Sequence, residues 1–166
     1  MMLFLQRIKW LVILLLFQVL VLNHVHIYQY ATPLFYVYFI LKLNSQIERK
    51  ALLGWAFAIG LCVDIFSNTP GLNAAAATLL AFVRPFLLFA QTQRDPTENF
   101  EPGIAVMGFA SFFRYALVCT LLFALVLNTL DTFSFFNIKT LLIKAGTDTL
   151  VTLICILCVD AVRRKK

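Results

Sequence analysis

Lys42-Leu43-Asn44-Ser45-Gln46-Ile47-Glu48-Arg49-Lys50 is followed by Ala51–Phe66, whose only charge is Asp64, and then by Ser67-Asn68-Thr69-Pro70-Gly71-Leu72, which has no basic residue. A basic connection, an apolar run and an uncharged turn make up the repeating plan of the chain. Six apolar stretches follow this plan. Arg7 and Lys9, then Lys42, Arg49 and Lys50, then Arg94, then Arg163, Arg164, Lys165 and Lys166 all fall on one side of them. The connections around residues 23–31, 67–72 and 128–137 contain no Lys or Arg. Lys and Arg are enriched in cytoplasmic loops, so the pattern predicts six crossings with both termini cytoplasmic.

Composition agrees with this plan. The 166 residues are 61% hydrophobic and 13% charged, against about 25% charged in soluble domains. One membrane domain, residues 1–166, accounts for the length. The net charge of +6 reflects the loops and tails on one side, which suits a membrane surface and no nucleic acid. The expected fold is all-α, a polytopic single bundle of six transmembrane helices. The spans fall at about residues 10–28, 33–43, 51–66, 72–90, 103–130 and 136–162. The first begins like a signal peptide, but Asn23-His24-Val25-His26 offers no small-residue cleavage site, so it reads as an uncleaved span. The second is short: eleven residues rise roughly 16 Å, half a bilayer core. It is kept as a crossing, extended by flanking residues and shielded by neighbours, because otherwise Arg49 and Lys50 would lie outside.

Small residues mark the close contacts. Gly54-x-x-x-Ala58 and Ala56-x-x-x-Gly60 lie on span three, and Ala74–Ala77 and Ala81 on span four. In lipid, apolar burial gives helices little reason to associate, and close backbone approach takes its place. Residues 1–30 contain neither Gly nor Ala, as suits a lipid-facing helix or one that meets a partner through large side chains.

Asp64-x-x-Ser67-x-x-Pro70-Gly71-Leu72-x-Ala74 joins spans three and four. Ser67–Gly71 has turn composition. Asn73 is placed to cap the next helix with its side-chain oxygen, and Asp64 to accept hydrogen bonds from the turn's backbone. The alternatives are a structural corner or an outward docking surface. This stretch, following a glycine-bearing apolar helix, resembles the MreD family of bacterial rod-shape-determining membrane proteins, as do the length, the six spans and the basic termini. The resemblance rests mainly on residues 54–90. It puts Asp64, Ser67, Pro70, Gly71, Leu72, Asn73 and Ala74 in the family's signature turn and its flank, with Asn68-Thr69 where many members carry glycine. It implies a fold similar to the substrate-binding subunits of energy-coupling-factor vitamin transporters. It further implies a non-catalytic scaffold in the bacterial cytoplasmic (inner) membrane, working with MreC and other cell-elongation proteins in peptidoglycan synthesis. The alternative is a small-molecule-binding subunit of a vitamin-type transporter. Such subunits tend to carry Ala-x-x-x-Ala on the first helix, and this chain does not.

Charge inside the spans is the other candidate feature. Arg84, Arg114, Lys139, Lys144 and Asp148 lie in apolar stretches. Such a group costs at least about 2.5–3.5 kcal/mol near mid-bilayer and usually faces the bundle interior. Arg84 is close enough to the basic end to snorkel. Arg114, counted from Gly103, is roughly 16 Å deep and is expected to face inward and pair with Asp148. Thr140, Lys144, Asp148 and Thr152 share a helix face, so Lys144 can also reach Asp148. The readings are a structural ion-pair network, a polar cavity for a small molecule or lipid headgroup, or a proton path. His24 and His26 point to different faces without further ligands, so no metal is expected. Cys62, Cys119, Cys155 and Cys158 all lie in apolar stretches and read as inert packing. No hydrolase, zincin or P-loop motif is present, so neither catalytic residues nor a cofactor is assigned.

Reporter fusions test the topology. Those at Glu48 and Asp95 should read cytoplasmic, and those at Asn68 and Thr132 external; a cytoplasmic signal at Asn68 overturns the arrangement.

Overall fold

The computed structural model describes residues 34–92, 99–132 and 138–163. Among them all regular structure is helical: α1 (Val37–Lys42), α2 (Arg49–Ser67), α3 (Leu72–Gln91), α4 (Ile104–Met107), α5 (Phe109–Thr132) and α6 (Ile138–Arg163). α2, α3, α5 and α6 each contain a segment long and apolar enough to cross a membrane. The chain is therefore an α-helical, multi-pass membrane protein. A helix is the form in which one segment satisfies its own backbone in lipid. Polar side chains within these helices are accommodated in the same way: Thr78, Thr120, Thr129, Thr147 and Thr149 each donate to the carbonyl four residues back. The expected first span, with His24 and His26, lies outside the described residues.

The long helices pack in the order α2–α3–α5–α6, and α1 touches α2, α3 and α5. Two hydrogen bonds and an ion pair tie the α1 segment to α6. The Leu34 N–H donates to Thr152 Oγ1 at 2.9 Å, the Tyr38 hydroxyl to Asp160 at 3.0 Å, and Lys42 Nζ pairs with Asp160 at 2.8 Å. Thr152 and Asp160 are about 12 Å apart along α6, so the segment runs alongside α6 for less than half of the ~30 Å core. Every residue from Leu34 to Leu41 is buried. Among the described residues the expected second span contributes this short segment, wrapped in protein, the setting in which interrupted backbone is tolerated at membrane depth; the flanking residues before Leu34 that would extend it lie outside the described residues.

Span five is corrected by a break. A single helix over 103–130 is replaced by the four-residue α4, then Gly108 at φ 81°, then α5. That left-handed backbone suits glycine, and it resets the depth of every residue after it.

Of the two small-residue pairs on α2, the one holding Ala56 and Gly60 makes the packing face. Ala56 and Gly60 are buried, whereas Gly54 is exposed with open space around it. A Cβ on Gly60 would lie 2.6 Å from Ala74 Cα and 2.7 Å from the Asn73 carbonyl oxygen. Both neighbours are backbone, so α2 and α3 would have to separate. Gly60→Ala should markedly lower the unfolding temperature in detergent, while Gly54→Ala should be neutral or slightly stabilising through helix propensity. Equal melting of the two variants would refute the close approach.

Candidate functional site: a buried polar corner and the cavity beside it

The α2–α3 corner is built around Asp64, on the last turn of α2 and 4% exposed. Asn68 ends α2 at φ 54°, donating its N–H to the Asp64 carbonyl, and Gly71 follows at φ 78°. Asn and Gly are the residues that adopt this backbone most readily. The chain therefore reverses within a few residues and brings the first turn of α3 under the carboxylate. Asp64 accepts from the Asn73 N–H (3.0 Å), the Ala74 N–H (2.9 Å), Asn73 Nδ2 (2.9 Å) and Thr69 Oγ1 (2.7 Å). The expected contact between Asp64 and backbone donors is present, and those donors are the orphan N–H groups of a helix start.

The capping role expected of Asn73 is corrected. Asn73 lies inside α3, and a carboxylate from α2 does the capping instead. The Asn73 side chain bridges outward: its Oδ1 accepts from the Tyr36 hydroxyl at 2.5 Å and its Nδ2 also donates to Thr69 Oγ1 at 3.1 Å. Ala74 is buried against Gly60, Ser67 and Leu72 are half-buried, and Pro70 and Gly71 are exposed at the tip.

Beside this corner lies a cavity of about 190 Å³ between α2, α3, α5 and α6. Asn73 and Thr69 line it from the corner, and Asn128, Asp131, Lys144 and Asp148 from α5 and α6. Asp148 is 1% exposed and accepts from Asn128 Nδ2 at 3.0 Å. Lys144 pairs with Asp131 at 3.1 Å across the helix hairpin, with both side chains partly exposed.

These contacts correct the expected charge network. The ion pair that Lys144 makes is with Asp131 on the facing helix. Arg114 is exposed and does not meet Asp148. The break at Gly108 puts it in the second turn of α5, about four turns and 21 Å from Asn128, so its stem can reach the helix end. Lys139 is exposed in the first turn of α6.

Among the described residues Arg84 is the buried basic one, at 1% exposure. It does not snorkel. Its Nη2 donates to the carbonyl oxygens of Leu41 and Leu43, and its Nε to the Tyr115 hydroxyl at 3.1 Å. The carbonyls belong to the end of α1, where no further helical turn can use them. A planar guanidinium with several fixed donors suits two carbonyls and a hydroxyl better than an ammonium does.

Asp160 was not singled out from sequence. Beyond Lys42 and Tyr38 it accepts from the Ile104 N–H at 2.7 Å, and Gly103 leaves room for it: a Cβ there would lie 2.5 Å from Lys42 Nζ. Its position three residues before Arg163 makes it look like a local partner of the basic tail. The informative signal was Lys42 at the end of a short apolar run, a cation in need of a carboxylate. The cysteines are free, Cys119 buried and Cys158 exposed. Among the described residues no group of three or more His, Cys, Asp or Glu is placed to hold a metal.

A scan against protein-family models and searches of curated proteins and of solved structures find no match to this chain.

Arg84 and Arg114 form a matched test. Arg84→Leu removes the donor to the Leu43 carbonyl and to the Tyr115 hydroxyl, each at a cost of about 1–3 kcal/mol, and leaves the Leu41 carbonyl only the long 3.5 Å bond from the Tyr115 hydroxyl, whereas Arg114→Leu removes an exposed charge. The yield of folded monomer in detergent should fall sharply for Arg84→Leu and stay near wild type for Arg114→Leu. The reverse order would refute both placements.

Proposed function

We propose that the chain is a non-catalytic scaffold of the MreD type, seated in the bacterial cytoplasmic membrane with both termini cytoplasmic. In this reading it helps organise peptidoglycan synthesis together with MreC and other elongation proteins. The observation that carries the reading is the corner itself. The Asp64 carboxylate is committed to two backbone N–H groups, an amide and a hydroxyl, so it serves shape and not bond-making. The tip it holds, from Asn68 to Gly71, is presented at the end of the bundle, and a rigid, preformed tip suits recognition because little ordering remains to be done on binding. The residues that carry the family resemblance are the ones that build this tip.

The vitamin-transporter reading is less well supported. Such subunits tend to carry Ala-x-x-x-Ala on the first helix, and residues 1–30 contain no alanine.

The test is co-purification with MreC alongside cell morphology. Asp64→Ala should abolish rod shape and MreC association while some protein remains in the membrane. Pro70→Ala, which removes preset backbone geometry and no hydrogen bond, should be milder. Normal shape and normal association in Asp64→Ala cells would reduce the corner to a connector and sink the scaffold role assigned to it.

A further inference from the structure

We propose that the cavity between the α2–α3 corner and the α5–α6 hairpin binds a small primary ammonium group. The inference rests on the cavity and not on the scaffold reading.

Size comes first. At about 30 Å³ per water, 190 Å³ holds the equivalent of about six waters. That admits a molecule of a few non-hydrogen atoms and is too large for a bare metal ion held by the few carboxylates present. Charge comes second. Among the described lining residues the acidic and basic ones are Asp131, Asp148 and Lys144, two carboxyl groups and one amine, so an anion is disfavoured and a cation favoured. Hydrogen bonding comes third. An R–NH3+ group carries three donors, and oxygens on several sides can accept them: the Asp148 carboxylate, the side-chain carbonyl of Asn128, and the hydroxyls of Ser67 and Thr69. A quaternary ammonium has no such donors and is held by aromatic cages; among the described lining residues Tyr36 is the single aromatic one. Finally, Leu127, Leu34 and Val63 form an apolar wall, which suits a short carbon body attached to the amine. Asp148, nearly fully buried, would supply the charge-assisted contact that anchors the ammonium.

The same chemistry is offered by a soluble amine and by the headgroup of an ethanolamine phospholipid. The experiment uses the purified full chain in two arms. The first follows thermal unfolding in detergent with ethanolamine, choline or acetate. The second compares vesicles of phosphatidylglycerol with and without phosphatidylethanolamine. Two variants accompany the wild type. Asp148→Asn retains an acceptor for Asn128 but removes the charge. Leu127→Trp fills the cavity from its wall. Circular dichroism establishes that each is folded, and if one is not, the other decides.

Stabilisation by ethanolamine in detergent, absent with choline and acetate and weakened about tenfold or more in Asp148→Asn, supports the site with a soluble amine as occupant. Stabilisation only by phosphatidylethanolamine vesicles, lost in the same variants, supports it with a lipid headgroup as occupant. The proposal is overturned if neither source stabilises the wild type. It is equally overturned if choline or acetate matches ethanolamine, or if the folded variants respond like the wild type.

Discussion

The structure depends on a buried cation answering a short helix. α1 is six residues long, and all of it but Lys42 is buried. Its final carbonyls would each carry the cost of an unmade hydrogen bond in a medium that offers no substitute. Arg84 supplies the donors from α3, and Tyr115 on α5 steadies the guanidinium. The partners are carbonyl and hydroxyl dipoles rather than a carboxylate. The cation is thereby dispersed over several oxygens, and three helices are joined at one point. An arginine that read as a candidate for escape to the interface is instead the bond between the hub and its surroundings.

α1 is held at both ends, and each hold involves a different pair of helices. At the basic end Lys42 and Tyr38 meet Asp160 of α6, which also takes the first N–H of α4. At the other end the Tyr36 hydroxyl meets Asn73 of α3, itself bound to Asp64 of α2. Apolar contact alone leaves helices free to slide in lipid, because the solvent is as apolar as the side chains. These directional bonds fix the register instead. The Gly60–Ala74 approach then lets α2 and α3 come close enough for Asp64 to reach across.

Sequence patterning made the class and the long helices legible, because hydropathy and length are properties of each segment alone. The Asp64 corner was legible too: turn composition, a carboxylate at a helix end and small residues beyond it are local signals. What failed depended on geometry between segments. The depth of Arg114 was counted through Gly108 as though the helix were continuous, and one left-handed residue changed the answer. Lys144 and Asp148 share a helix face, but the ion pair of Lys144 is with Asp131 on the facing helix. Asn73 had the composition of a cap, yet the cap came from another helix. Asp160 was hidden because its partners, Lys42, Tyr38 and Ile104, are distant in sequence.

The corner and the cavity share side chains, and this links the two proposals physically. Asn73, Thr69 and Tyr36 belong to the hydrogen-bonded corner and also line the cavity. An occupant would therefore touch groups whose bonds set the position of the Asn68–Gly71 tip. If it favoured one arrangement of those bonds, it would bias the tip toward one shape, and a partner selecting that shape would in turn strengthen occupancy, since coupling between two sites is reciprocal. The rigidity of the corner limits how far this can go. With Asp64 satisfied on several sides, the freedom left lies at Tyr36, whose hydroxyl joins the corner to the α1 segment. That bond is where an occupant could redirect the tip without breaking the fold.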